Sequence, residues 1–219
     1  MSVAQPIDVR DMRIIHATFR AAYTQSAQLL RANPTPSPQR VAFLSDHVDF
    51  GLQMLHHHHE SEDELLYPLL EARVPEQAER TEQIDHEHLQ IATAIDVALG
   101  CSADWRGNAT AANAEALASS LDDLIAVLEP HLADEEAEIV PLAARTLTHE
   151  EWESIGAHSR ASIPRDKMGI AFGMILEPLD EADRAYMKRQ LPLPVRTILY
   201  KPLVQRPWEK YQDQLLHGT

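Results

Sequence analysis

Apolar residues recur along this chain at intervals of three and four, the period of an amphipathic helix rather than of a strand. In the first run Val9, Met12, His16, Phe19, Arg20, Tyr23, Ala27 and Leu30 share one stripe, which places a histidine on the face that should turn inward. A second stripe holds Leu44, Met54, Leu55, His58, Glu62, Leu65 and Leu69. The third carries Ile84, His88, Ile91, Ala92 and Ile95, and the fourth Leu117, Leu124, Leu128, His131, Glu135 and Leu142. The pattern predicts four helices, each burying one histidine, and two of them add a carboxylate.

Proline and glycine separate these runs. Asn33-Pro34-Thr35-Pro36-Ser37-Pro38 divides the first helix from the second. Pro75 suits the first turn of the third helix, where a missing amide does no harm. The stretch from Gly100 to Asn108, with Trp105 and Gly107, reads as the next break, and Thr148-His149-Glu150-Glu151 as a capping box. Beyond it, Pro164, Pro178, Pro192 and Pro194 cut residues 150–219 into short amphipathic pieces such as 180–190 and 207–216. Their apolar clusters, Met168 to Leu176, Val195 to Leu203 and Trp208 to Leu216, could cover one face of the helices before them or form a homodimer contact. The sequence leaves both open.

One arrangement occurs twice. His58-x-x-x-Glu62 with a Pro-Leu pair at Pro68 recurs as His131-x-x-x-Glu135 with Pro-Leu at Pro141. A histidine and a carboxylate one helical turn apart point the same way, so two such helices face to face offer half a metal cage. His16 and His88 lie where they can supply the rest. The plainer alternatives are core histidines bonded to backbone and surface histidines beside acids; against these, burying ionisable pairs without a metal is costly. Imidazole with carboxylate and no thiolate suits non-haem iron or manganese. Ferritin-like di-iron bundles are the structural rival, but they use Glu-x-x-His, the reverse order at another spacing. At about 100° per residue His56, His57 and His86 face elsewhere, and His47 lies about 16 Å along the helix from His58. Glu138 keeps to the apolar stripe but lies about 10 Å from His131.

Taken in order, His16, His58-His59-x-x-Glu62-Asp63, Glu87-His88 and His131-x-x-x-Glu135-Glu136 resemble the hemerythrin-like domain, also called the HHE cation-binding domain. The resemblance, which covers roughly residues 7–146, implies an all-α, up-down-up-down four-helix bundle over residues 1–147; the proline-cut pieces over 148–219 read as a C-terminal helical extension that the resemblance does not explain. It also implies two non-haem irons bridged by the carboxylates and an oxo or hydroxo group, with His16, His58, Glu62, His88, His131 and Glu135 as candidate ligands. Oxygen-carrying hemerythrins place two ligand histidines four apart on the third helix, and here the position four before His88 is Ile84. One iron is then a ligand short. In some relatives the residue after the second-helix histidine takes part, which makes His59, at the edge of its stripe, a further metal candidate. An open iron turns the expectation away from simple oxygen carriage and toward a di-iron oxidoreductase acting on peroxide, dioxygen or nitric oxide. A gas-binding sensor and a metal-dependent interaction protein are the alternatives. Arg20 and Tyr23, one and two turns beyond His16, are either a packing pair or donors to a bound oxygen species.

Composition narrows the partners. With 34 acidic residues against 19 lysines and arginines the net charge is −15, which argues against nucleic acid. Cys101 is the only cysteine, so the chain makes no internal disulfide and no thiolate metal cage. The start MSVAQPIDVRDMR lacks a basic segment followed by an apolar run, and no stretch is apolar enough for a membrane span. A cytoplasmic protein is the expectation.

Overall fold

In the computed structural model, which describes residues 6–218 apart from the side chains of 77–79, the chain is helical throughout, with no strand among the described residues. Residues 1–5, part of the start read above for a leader, lie outside the described residues. Four long helices come first: α1 (Arg10–Ala32), α2 (Pro38–Ser61), continued by α3 (Tyr67–Arg73), α4 (Ala78–Gly107) and α5 (Ala111–Asp134), continued by α6 (Val140–Thr146). α1 packs on α2 and α5, and α4 on α2 and α5, closing a ring of four.

Local signals set most boundaries. Ser37 caps α2 by accepting from the Arg40 amide, with Pro38 at the first helical position, so the proline-rich break ends one residue earlier than the sequence suggests. Thr110 caps α5, and the capping box at Thr148 and Glu151 opens α7 (His149–Ala161) as expected. The predicted break from Gly100 to Asn108 is wrong, because α4 runs through Gly100 to Gly107. Trp105 is fully buried in the main core. Burying an aromatic of that size stabilises by about 2–3 kcal/mol, against about 1 kcal/mol for a glycine inside a helix.

Neither α2 nor α5 runs straight on. A π-helical turn, Glu62–Leu66, joins α2 to α3, and another, Glu135–Ile139, joins α5 to α6. Pro68 and Pro141 follow each turn by two residues. A proline cannot donate to the carbonyl four residues back, and its ring crowds that carbonyl. The chain responds by inserting a residue: the Tyr67 amide bonds to the Glu62 carbonyl and the Val140 amide to that of Glu135, five back. The repeated His-x-x-x-Glu…Pro is therefore an inward-facing pair followed by a proline-driven bulge.

Two apolar clusters fill the ring. One contains Phe19, Leu55, Ile91 and Leu128; the other Met12, Leu66, Ile84 and Ile139. On every helix the histidine lies between a residue of one cluster and a residue of the other, so the histidines form a polar layer between two hydrophobic plugs.

After α7 come α8 (Met168–Leu176), α9 (Glu181–Gln190), two further π turns (Val195–Leu199 and Lys201–Gln205) and α10 (Arg206–His217). α8 packs on α1 and α10. A side chain at Gly173 would strike the Trp208 ring, and one at Gly169 the Leu203 carbonyl, so the two glycines let these segments touch. Arg40 donates to the carbonyls of Gln214 and Leu215, capping α10, while Leu215 enters the main core. Two of the three apolar clusters thus cover the bundle. The middle one leaves Ile198 and Leu203 77% and 52% exposed.

Candidate metal centre

Seven side chains converge in the polar layer as two sets. His59, His88 and His131 form one; His16, His58, Glu62 and Glu135 form the other, and within each set the donor atoms lie within 4.8 Å of one another. All seven are at least nine-tenths buried. Nε2 of His88 and Nε2 of His131 are 3.3 Å apart. Two nitrogens held at about 2.1 Å by one ion at a right angle would be about 3 Å apart.

The carboxylates link the sets. Glu62 Oε1 is 3.3 Å from His58 Nε2, while its Oε2 is 4.0 Å from His88 Nε2. Oε2 of Glu135 is 3.3 Å from His16 Nε2 and 3.9 Å from His131 Nε2. Nε2 of His16, His58 and His59, both oxygens of Glu62 and Oε2 of Glu135 are buried with no hydrogen-bond partner. Each such atom costs about 1–3 kcal/mol. Six of them aimed at one small volume suit a pair of metal ions, which would satisfy them all together.

The opposite ring nitrogens are held from outside. His16 Nδ1 donates to Glu136 at 2.9 Å, His88 Nδ1 to Asp63 at 2.7 Å and His131 Nδ1 to Glu87 at 3.0 Å. A carboxylate only accepts, so each pair puts its proton on Nδ1 and fixes the ring's orientation with Nε2 turned to the centre. Arg20 bonds to both Glu136 and Glu129, and Arg80 bonds to Glu87 and pairs with Asp134 and Glu138. These acids explain the dipeptides Glu62-Asp63, Glu87-His88 and Glu135-Glu136: one member faces the centre and its neighbour supports a histidine on another helix. Helical periodicity does not reveal that supporting role, nor the part played by Tyr67. The Tyr67 hydroxyl donates to Glu135 Oε1 at 2.7 Å.

Electrostatics separates the groups. Burial, helped by the charge of Glu135, holds the Glu62 carboxyl well above its usual range. Burial pushes Glu135 the same way, but His16 beside it outweighs that and the net shift is downward. Burial and neighbouring imidazoles push His58 down to about 3 and His59 well below its ordinary value. Those two rings therefore present free lone pairs at neutral pH, the form a metal needs. His16 is pulled down by burial and raised more strongly by Glu135 and Glu136.

Other sequence candidates separate. His56 and His57 face outward and pair with Glu60, and His86 bonds to Gln90. His47 bonds to the Tyr211 hydroxyl of α10, remote from the centre. Tyr23 donates to the Gly51 carbonyl within the core and is a packing residue, whereas its neighbour Arg20 reaches the support of His16. Ile84, where oxygen carriers have a histidine, is buried with Leu66 and Leu70. The expected gap on the third helix exists, but the ring of His59 stacks on His88 with centroids 4.3 Å apart. The donors in the layer thus number five imidazoles and two carboxylates.

Buried imidazoles and carboxylates gathered from four helices define a helical metal-binding protein. The family model of the hemerythrin HHE cation-binding domain matches residues 8–143, and the chain belongs to that family. No curated protein and no solved structure matches it. No helix among the described residues is long and apolar enough to cross a membrane.

Proposed function

We propose that residues 1–147 form an up-down-up-down bundle holding two non-haem irons, with His59, His88 and His131 on one and His16 and His58 on the other. Glu62 and Glu135 lie between them with an oxo or hydroxo group. The observation that supports this is the convergence of six unpartnered buried donor atoms, divided into two sets that share carboxylates. Bound irons would supply electrons and an open position for dioxygen, peroxide or nitric oxide, and the reading favoured is an oxidoreductase-type centre acting on peroxide or dioxygen. The protein's part is to hold the imidazoles by their Nδ1 protons, to exclude bulk water with the two apolar clusters, and to give up protons from Glu62 and His16 as metal enters. Metal uptake should therefore tighten as pH rises.

His59 favours a second reading. With five imidazoles in the layer the donor set is no longer a ligand short, which removes one reason for preferring turnover to simple binding. The extension over 148–219 then covers the bundle, and its exposed middle cluster is the place for a homodimer contact in a cytoplasmic protein. The deciding experiment is an optical spectrum of the iron-loaded chain before and after peroxide, with the rate of peroxide loss per iron. Catalytic loss supports the enzyme reading; a stable spectral change without loss supports the binder, and no response to peroxide contradicts both.

A further inference from the structure

A groove of about 350 Å3 opens between α2 and α4, and its floor reaches the candidate centre. His59 and His88 line it, both at least nine-tenths buried, and Nε2 of His59 has no hydrogen-bond partner. Toward solvent the lining changes to His56, Glu60, Asp63 and Asp85. The His56 and Glu60 side chains are 50% and 45% exposed and lie 3.2 Å apart, and Asp63 is 44% exposed while supporting His88. None of His16, His58, Glu62 or Glu135 lines the groove.

We propose that this groove is the loading route for divalent metal, with Glu60, Asp85 and His56 as outer, transient ligands that hand the ion to His59 and His88. The proposal rests on the two-metal reading of the centre. Three carboxylates around a cleft raise the local concentration of cations, and such focusing speeds association by about 10-fold to 1,000-fold. An uncharged oxygen species gains nothing from that field, and an anionic one is repelled. The donors also change in the order a loading path needs, from exposed oxygens that exchange quickly to buried imidazoles, which suit iron. The rim groups form no cluster of three donors within 4.8 Å among the described residues, so they attract an ion without retaining it. His59 and His88 are the two buried imidazoles that line the groove. Among the described residues no hydrogen bond fixes the ring of His59, unlike the rings of His16, His88 and His131. His56, an outward-facing member of the four-histidine run, thereby acquires a role that its orientation denied it as a resident ligand.

The test is stopped-flow uptake of cobaltous ion by the full-length, chelator-stripped protein at low and high ionic strength. The triple variant His56→Ala, Glu60→Gln, Asp85→Asn should load at least about fivefold more slowly at low salt, with the difference shrinking at high salt. Its final cobalt content should equal that of the wild type. The pair Glu71→Gln and Asp213→Asn removes acidic charge elsewhere and should load at the wild-type rate. Ala92→Trp, on the groove wall, should slow loading at every ionic strength without changing the endpoint. Unchanged rates in both the triple variant and Ala92→Trp overturn the route while leaving the centre intact. A reduced endpoint in the triple variant overturns the transient role, because it would make these groups resident ligands. Wild-type protein that takes up no cobalt removes the centre, and the route with it.

Discussion

Tyr67 donates a 2.7 Å hydrogen bond to Glu135 Oε1, whereas neither oxygen of Glu62 has a hydrogen-bond partner. The two copies of the His-x-x-x-Glu motif are therefore chemically unequal. Glu62 has both oxygens free to span two ions, and Glu135 has only Oε2 turned inward. Tyr67 is the last residue before Pro68 in one copy of the motif, and the residue it restrains belongs to the other copy.

Tyr67→Phe keeps the ring and removes the donor. We expect metal affinity to fall by about 10-fold to 100-fold, the usual consequence of losing a group that orients a ligand carboxylate, with little change in helix content. Competition with a chelator measures it. Wild-type affinity in Tyr67→Phe would mean that the bond does not orient Glu135.

Much of this arrangement could be read from the chain, and the misses have physical causes. The four stripes and the buried histidine on each were legible because 3.6-residue periodicity survives over several turns. His59 was ambiguous because it lies about 100° from His58 on the helix, yet a layer wide enough for two donor sets admits both. Glu138 falls on the apolar stripe by α-helical counting, but the π turn adds a residue and swings it outward to Arg80, leaving its side chain 61% exposed. Periodicity cannot announce that turn; the proline six residues after each glutamate can. The turn Lys201–Gln205 has the same relation to Pro207 with no donor cluster nearby among the described residues, so such a turn does not need a metal site; Pro130, inside α5 without a π turn, shows that proline alone does not force one. The supposed break at Gly100 failed because a local glycine penalty is smaller than the burial of Trp105.

Ile84→His introduces the histidine that oxygen carriers have. Because Ile84 is fully buried beside Leu66 and Leu70, and His59 already stacks on His88, the new imidazole gains no place among the donors. Stability should fall by about 2–4 kcal/mol by denaturant unfolding, from lost apolar burial plus an unpaired polar group, with no gain in metal content. Tighter metal binding at unchanged stability would show that His59 does not fill that side.

His47 predicts a pH effect separate from the centre. Burial, with a smaller push from Arg40, lowers it to about 4 from 6.5. The unfolded chain takes up a proton near pH 6.5 that the folded chain refuses until about 4, so this group's stabilisation is lost as pH falls through that window and levels off below it. The stability difference between wild type and His47→Gln should shift against the wild type by on the order of 3 kcal/mol from pH 7 to pH 4. A difference independent of pH would show that the pKa of His47 is not lowered in the folded protein.

The central claim is that His59 completes the three-imidazole half of a two-metal centre, and metal stoichiometry tests it most directly. Iron per chain should be determined on fully loaded wild-type protein and on His59→Ala under identical conditions. The account predicts two irons in the wild type and about one in His59→Ala, with the remaining ion held by His16, His58, Glu62 and Glu135. Two irons retained in His59→Ala, or a single iron in the wild type, would contradict it.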